Sequence, residues 1–381
     1  MAPEIALDHL RTLPPGALVL DPMAGSGTVV RLAAEAGHHA VGFDLDPLAV
    51  LMARVWTTPL DTTALRHAGA EIAAHARRSA RPEPYLPWID DDPETRAFVD
   101  YWFAPPQQNA LRRLAALLAA RSDPIGDALR IGLSRIIITK DRGASLARDV
   151  SHSRPHRIRR ENDFPVLDAF ERSIQRLADR LDAQPPPGRA RIARGDARHL
   201  ADIADGSIDA VITSPPYLNA LDYLRGHRLS LVWLGYRLAE LRAIRAAAVG
   251  AERAPDPPAS PAAIQSLRAA LGPLDGLPAR QHRMIERYLL DVRALVREIA
   301  RVLRPGGRAV LVVGSSRLRG IPVPNARAVV QAARESGLDL LAERERPLPP
   351  DRRYLPPPRE ADPTDLEKRL RSETVLVFER R

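Results

Sequence analysis

Thr213-Ser214-Pro215-Pro216-Tyr217 follows directly on the apolar run Ile208–Ile212. Two consecutive prolines hold the backbone extended and remove two N–H donors. What this edge offers is mainly acceptors: the Ser214 hydroxyl and the carbonyls of Ser214 and Pro215. An exocyclic amino group on a base presents two N–H donors, so the two are complementary. Its lone pair is delocalised into the ring and is a poor nucleophile. Acceptors that grip both hydrogens draw the nitrogen toward tetrahedral geometry and free that lone pair for attack. Tyr217 supplies a ring to stack on the base and hold it in line. The plain alternative is a Pro-Pro turn with an incidental tyrosine, in a chain that carries 36 prolines.

A second cluster lies near the amino end. Asp21-Pro22-Met23-Ala24-Gly25-Ser26-Gly27-Thr28 sits between the apolar run Ala17–Leu20 and a helical pattern from Thr28 to Ala36. A glycine turn there lets the backbone approach a ligand, and the amino end of the helix offers unpaired N–H groups. Dinucleotide binders use the same location with glycines at first, third and sixth positions. Counting from Gly25, the sixth position is Val30, which disfavours a nicotinamide or flavin. Asp44, ending the next strand-like run His39–Phe43, is placed to accept hydrogen bonds from ribose hydroxyls, and Asp46 could share that task. The competing reading is that Asp44-Leu45-Asp46-Pro47 only caps the next helix.

Both clusters resemble the amino-methylating DNA methyltransferases, the cytosine-N4 and adenine-N6 family. The family's cofactor loop has the usual form Asp-Pro-Phe-x-Gly-Ser-Gly-Thr, with Met23 here in place of Phe. Its catalytic signature is Ser-Pro-Pro-Tyr, a form more typical of the cytosine-N4 enzymes. The resemblance implies S-adenosyl-L-methionine as cofactor. Its methionine part would lie on Asp21 to Thr28, its ribose on Asp44, and its adenine amino group on Asp196 in Arg194-Gly195-Asp196-Ala197. Ser214, Pro215, Pro216 and Tyr217 would be the catalytic residues, and the activity would be site-specific DNA methylation of the restriction-modification kind. The cofactor motif comes first here and the catalytic motif later, whereas many members run in the opposite order. The segment that members use to finish the cofactor pocket is reduced to Ala2-Pro3-Glu4-Ile5, so an upstream start is expected to be missing.

The elements that position these clusters alternate as β-α-β, which argues for a parallel sheet covered by helices. The fold expected is α/β, a Rossmann-like S-adenosylmethionine-dependent methyltransferase fold with a helical insertion. Residues 1–60 and 188–381 form its catalytic domain. Residues 61–187 read as the insertion, with helices near Pro93–Tyr101, Gln107–Arg121, Pro124–Ile138 and Val166–Leu181 and an ambiguous Ile136-Ile137-Ile138. From Ala246 to Pro278 the Pro- and Ala-rich composition suggests an extended loop. Helices at Arg283–Leu303 and Asn325–Ser336 and strands at Ala190–Ala193, Ala309–Val313, Leu338–Ala342 and Thr374–Phe378 complete the pattern.

Composition narrows the chemistry. The 381 residues include no cysteine, which removes disulfides, cysteine-ligated metals and any thiolate nucleophile. Methylation at carbon-5 of cytosine, which normally needs an attacking cysteine, is therefore excluded. The net charge of +9 suits a protein that meets phosphate backbones. Only Lys140 and Lys368 are lysines among 56 basic residues, so a coding bias toward arginine is the other explanation. No apolar stretch is long enough for a membrane span, and a cytoplasmic location is expected.

A duplex hides its amino groups, so the target base must be flipped or single-stranded. In the insertion, Arg148, His152, Arg154, His156, Arg157 and Arg159 are phosphate- and base-contacting types, with an exposed basic linker as the alternative. Asn219, Asp222, Tyr223 and Arg225, just beyond Tyr217, are candidates to line the target pocket; Leu229, Leu231, Val232 and Trp233 read as core. His152 and His156 have helical spacing, but Pro155 breaks such a helix, and no metal site is expected. The rivals are an RNA enzyme of the tRNA guanine-N2 type, a protein-glutamine methyltransferase, which would favour Asn at position 214, and a catalytically inactive nucleic-acid-binding module.

Overall fold

The computed structural model describes residues 2–78, 83–148, 155–218, 222–250, 261–348 and 372–381. The chain forms two units. One comprises Met1–Leu45, Arg189–Leu221 and Ala246–Arg381; the other comprises Asp46–Gly188 and Asp222–Arg245.

The first unit is built on a seven-stranded sheet. Its strands are β1 (Leu18–Asp21), β2 (His39–Asp44), β3 (Ala190–Arg194), β4 (Ile208–Thr213), β5 (Leu303–Gly314), β6 (Leu338–Pro347) and β7 (Ser372–Arg380). Across the sheet they run in the order β3-β2-β1-β4-β5-β7-β6. The first five are parallel to their neighbours, and β7 is antiparallel to both β5 and β6. Strands buried on both faces carry near-continuous apolar runs. Accordingly, Val19 and Leu20 of β1, Val211 and Ile212 of β4, and Ala309 to Val313 of β5 are all buried. This is the Rossmann-like α/β fold that the sequence pattern predicts.

Helix Ala279–Val302 and helix Asn325–Glu335 supply much of the apolar cover, with Leu289, Val292, Leu295, Val296, Ile299, Ala328, Val329 and Ala332 in the core. One expectation needs correction. Within the stretch read as an extended loop, Pro261–Ala270 is a helix. Ile264, Leu267, Leu271 and Leu274 all lie in the sheet unit's core. Ile264 and Leu267, three apart, lie on one face of that helix, and Leu271 and Leu274 follow its end, a pattern concealed by the surrounding Ala and Pro. The short segment before β1 is also helical, over Pro3–Leu10, with Ala6 and Leu10 fully buried.

The second unit is helical. Helices Pro47–Thr57, Pro93–Trp102, Pro105–Ala119 and Pro124–Ile137 each begin with proline, which costs no hydrogen bond in a first turn. Asp46 and Asp123 cap two of them by accepting from the amides of Leu48 and Gly126. Helices Thr62–Arg78 and Val166–Ala183 pack together, and the latter also packs on Pro124–Ile137. Ile136 and Ile137 close a helix rather than form a strand. Among the described residues of this unit, the only strands are the two-residue pair Ala147–Arg148 and His156–Arg157.

This unit is wider than residues 61–187. It starts at Asp46 because helix Pro47–Thr57 packs on helix Pro124–Ile137. It also takes in Asp222–Arg245, because helix Leu224–Leu231 packs on both of those helices. Leu229, Leu231, Val232 and Trp233 are buried there, and Trp233 meets Phe103 edge-on at 5.1 Å.

Candidate active site

In an open α/β sheet, ligands bind outside the carboxyl ends of the strands where successive connections diverge to opposite sides. Here that point lies between β1, whose chain continues to β2 on one side, and β4 on the other. β1 ends at Asp21 and the glycine turn; β4 ends at Thr213 and Ser-Pro-Pro-Tyr. The strands pair with Val19 opposite Ala210 and Leu20 opposite Val211. Just beyond this pairing, the Thr213 hydroxyl donates to Asp21 Oδ1 at 2.7 Å. The two clusters therefore leave the same edge from adjacent strands, although 192 positions separate the bonded residues.

The turn after β1 is bound to the end of β2. The Ala24 amide donates to the Phe43 carbonyl at 2.8 Å, and the Gly25 amide to Asp44 Oδ2 at 2.9 Å. Gly25 and Gly27 have φ of 52° and 90°, a region where a side chain is strained. Gly27 is also the N-cap of helix Thr28–Glu35. A Cβ on Gly25 would meet no atom within 4 Å, so the turn faces open space that a ligand can occupy. Pro22, Met23, Ala24 and Ser26 complete this turn. Asp44 thus serves the turn itself, while Asp46 caps the following helix and also approaches His227 Nδ1 at 2.5 Å.

Asp21 is 3% exposed. Burial pushes its carboxyl up to about 6, against hydrogen bonds from Thr213 and the Met23 amide that favour the anion; the nearby Asp44 adds to the rise. Asp196, at the end of β3, accepts from the Arg198 guanidinium on both oxygens, at 3.0 and 2.6 Å. Arg198 also reaches Asp291 Oδ1 and the Ala247 carbonyl, each at 2.5 Å. Burial works to raise the Asp196 carboxyl, but the Arg198 side chain and amide outweigh it and hold it below the usual range.

The Ser-Pro-Pro-Tyr loop is seated by residues that the sequence patterns did not single out. The Ser214 hydroxyl donates to the Val312 carbonyl at 3.1 Å, which commits its proton and leaves the oxygen to act as an acceptor. Tyr217 lies over Gly314 at the end of β5: a Cβ there would come within 2.5–2.8 Å of its ring. The Tyr217 hydroxyl donates to Glu373 Oε1 at 3.3 Å, from the residue paired with Gly314 on β7. Buried Asn325 donates to the Gly314 carbonyl at 2.9 Å and to the Ser316 hydroxyl at 2.8 Å; Ser316 in turn donates to the Leu218 carbonyl at 2.6 Å. Gly314, Ser316, Asn325 and Glu373 thus position the tyrosine. Gly314-Ser315-Ser316 after a strongly apolar strand was the signal available.

The nucleic-acid candidates that are described all lie in the helical unit. Arg148 donates to the Lys140 carbonyl at 2.8 Å and Arg159 to the Asp141 carbonyl at 3.1 Å. Arg157 lies 4.7 Å from the Tyr101 ring centroid, and Tyr223 stacks on His227 with centroids 6.2 Å apart. His156 and Arg225 line one cavity. His152, Arg154 and Asn219 lie outside the described residues. Among the described residues, no group of three or more His, Asp or Glu could hold a metal ion, and no helix is long and apolar enough to cross a membrane.

No family model matches the chain. Over 48 residues it is 48% identical to the type II methyltransferase M.BsoBI of Geobacillus stearothermophilus, a match that covers 13% of this chain and 9% of that protein. Among solved structures, it is similar to a TehB-like SAM-dependent methyltransferase from Corynebacterium glutamicum, with 12% identity over 99% of this chain and 88% of the other (TM-score 0.32). It is also similar to TrmN from Thermus thermophilus, with 13% identity over 100% of this chain and 49% of the other (TM-score 0.34). The strand order, five parallel strands and an antiparallel last pair, makes the sheet unit a Rossmann-like α/β fold.

Proposed function

We propose that this protein is an S-adenosylmethionine-dependent methyltransferase acting on an exocyclic amino nitrogen of a base in DNA, cytosine-N4 in preference to adenine-N6. The observation that carries this reading is the Thr213–Asp21 hydrogen bond, which joins the glycine turn and the Ser-Pro-Pro-Tyr loop at one edge of the sheet. The short identity to a type II methyltransferase supports it, and the Ser form of the motif favours cytosine.

The open face of Gly25 and the donors at the start of helix Thr28–Glu35 fit the methionine part of the cofactor. Asp44 and Asp196 are the residues for its ribose and adenine. When bound, the cofactor supplies a methyl group on a positively charged sulfur. The chain supplies the rest. Ser214, with its proton committed to Val312, accepts an N–H of the target amino group together with the carbonyls of the Pro-Pro edge. Tyr217, braced by Gly314 and Glu373, stacks on the base and fixes the nitrogen in line. No covalent enzyme intermediate is needed, in keeping with the absence of cysteine.

Incubation with DNA or with tRNA and labelled cofactor, followed by mass spectrometry of the nucleosides, tests the assignment. N4-methylcytosine in the DNA arm, lost in Tyr217→Ala, is expected. Label only in tRNA guanine would transfer the enzyme to the RNA class. Cofactor binding without transfer to either would reduce it to a binding module.

A further inference from the structure

In the helical unit a cavity of about 440 Å³ is lined by Pro155, His156, Arg225, Arg228 and Arg245. Three guanidinium groups share this wall. Asp222 answers two of them, its Oδ2 accepting from Nε of Arg225 at 3.2 Å and from Nε of Arg245. One carboxylate cannot neutralise three cations. Arg228 has no acidic partner among the described residues: its Nε is buried without a hydrogen bond, and its charge rests 5.2 Å from the Phe98 ring centroid. Burial lowers its affinity for the proton; repulsion from Arg245 and Arg225 adds to this, and Asp222 only partly opposes it. Such crowding of desolvated positive charge is unfavourable unless an anion completes it. Guanidinium forks match the paired oxygens of a phosphoryl group.

We propose that this cavity binds a backbone phosphate of the nucleic acid, gripped by Arg225, Arg228 and Arg245. The proposal rests on the methyltransferase reading above and adds a docking point to it. An aromatic neighbour favours a strand over free phosphate. Tyr223, 43% exposed and two residues before Arg225, offers a ring of the kind on which single-stranded bases stack. The helix carrying Arg225 and Arg228 begins seven residues after Tyr217, so the same stretch of chain carries both the base-stacking tyrosine and the phosphate-binding arginines.

The test is the salt dependence of oligonucleotide binding by the whole chain, with wild type compared with Arg228→Met and Arg245→Gln. Arg245 is the more exposed of the two, so its variant guards against loss of folding; thermal melting checks both. Removing one arginine from the phosphate should flatten the slope of log affinity against log salt by about one and weaken low-salt binding roughly tenfold. Cofactor affinity should not change. An unchanged slope in both folded variants overturns the proposal, while wild-type methylation of DNA would leave the parent reading standing. Absence of any methylation by the wild type would sink the parent reading instead. Inorganic phosphate alone is the remaining arm: tight, saturable binding that both variants abolish, with oligonucleotide affinity untouched, would make this a free-phosphate site and overturn the proposal.

Discussion

Gly25 of the sheet unit and two glycines of the helical unit, Gly69 and Gly132, differ in what surrounds them. In the sheet unit, Gly25 sits at φ 52° with nothing within 4 Å of where its Cβ would be. In the helical unit, Gly69 and Gly132 have ordinary helical backbones and press on one side chain, Ile174, which a Cβ on either would strike. The charged groups divide similarly. Asp21, Asp44 and Asp196 of the sheet unit are each held by a donor from a nearby turn or strand, whereas Arg228 of the helical unit is left without a counterion among the described residues.

The largest expected effect comes from a sheet-unit glycine that, like Gly69 and Gly132, lies close against a single side chain. Gly314 has no positive φ, so alanine is tolerated by the backbone, and the three atoms nearest its Cβ all belong to the Tyr217 ring. Gly314→Ala should displace that ring and slow methyl transfer by about a hundredfold, as small misplacements of a positioning group do. Cofactor affinity and melting temperature should move little. Because both changes act through one ring, Gly314→Ala added to Tyr217→Ala should cost almost nothing further. An additive loss would mean that Gly314 acts elsewhere.

Asp21 comes next, and it contrasts with the solvated carboxylates of the helical unit. Its folded pKa of about 6 lies above the ordinary 3.8, so between those values the native state binds more protons than the unfolded state. The stability it contributes is fully present below about 3.8 and is lost as pH rises through 6, to a total of roughly 3 kcal/mol. Asp21→Asn should abolish that slope in denaturant titrations from about pH 4 to 7. Parallel wild-type and variant profiles would show that Asp21 titrates as an ordinary carboxylate.

What was legible in the sequence follows the same division. β1, β4 and β5 were readable because strands buried on both faces must be apolar throughout, and the glycine turn and Ser-Pro-Pro-Tyr because their backbones demand particular residue types. The seat of Tyr217 was not, because Gly314, Asn325 and Glu373 come from about 100 to 156 positions away and only the sheet brings them together. Neither were the limits of the helical unit. Nothing near Asp46 or Asp222 changes in composition; the boundary arises from packing among helices Pro47–Thr57, Pro124–Ile137 and Leu224–Leu231.

The smallest effect sharpens the comparison most, because it predicts a rescue in one case and none in the other. A Cβ on Gly132 would fall 2.1 Å from Ile174 Cδ1, whereas one on Gly69 would fall 2.8 Å from Ile174 Cγ2. Each alanine gains about 1 kcal/mol of helix propensity and forfeits roughly 1–3 kcal/mol to overpacking, for a net destabilisation of about 1 kcal/mol. Ile174→Val removes Cδ1 but keeps the Cγ2 methyl. Chemical denaturation should therefore find Gly132→Ala largely relieved in the Ile174→Val background, and Gly69→Ala not relieved. Methyl-transfer rates should stay near wild type throughout, since none of these atoms belongs to the sheet unit. Equal rescue of both would mean that the helix Val166–Ala183 shifts as a body rather than Ile174 being pinned from two sides.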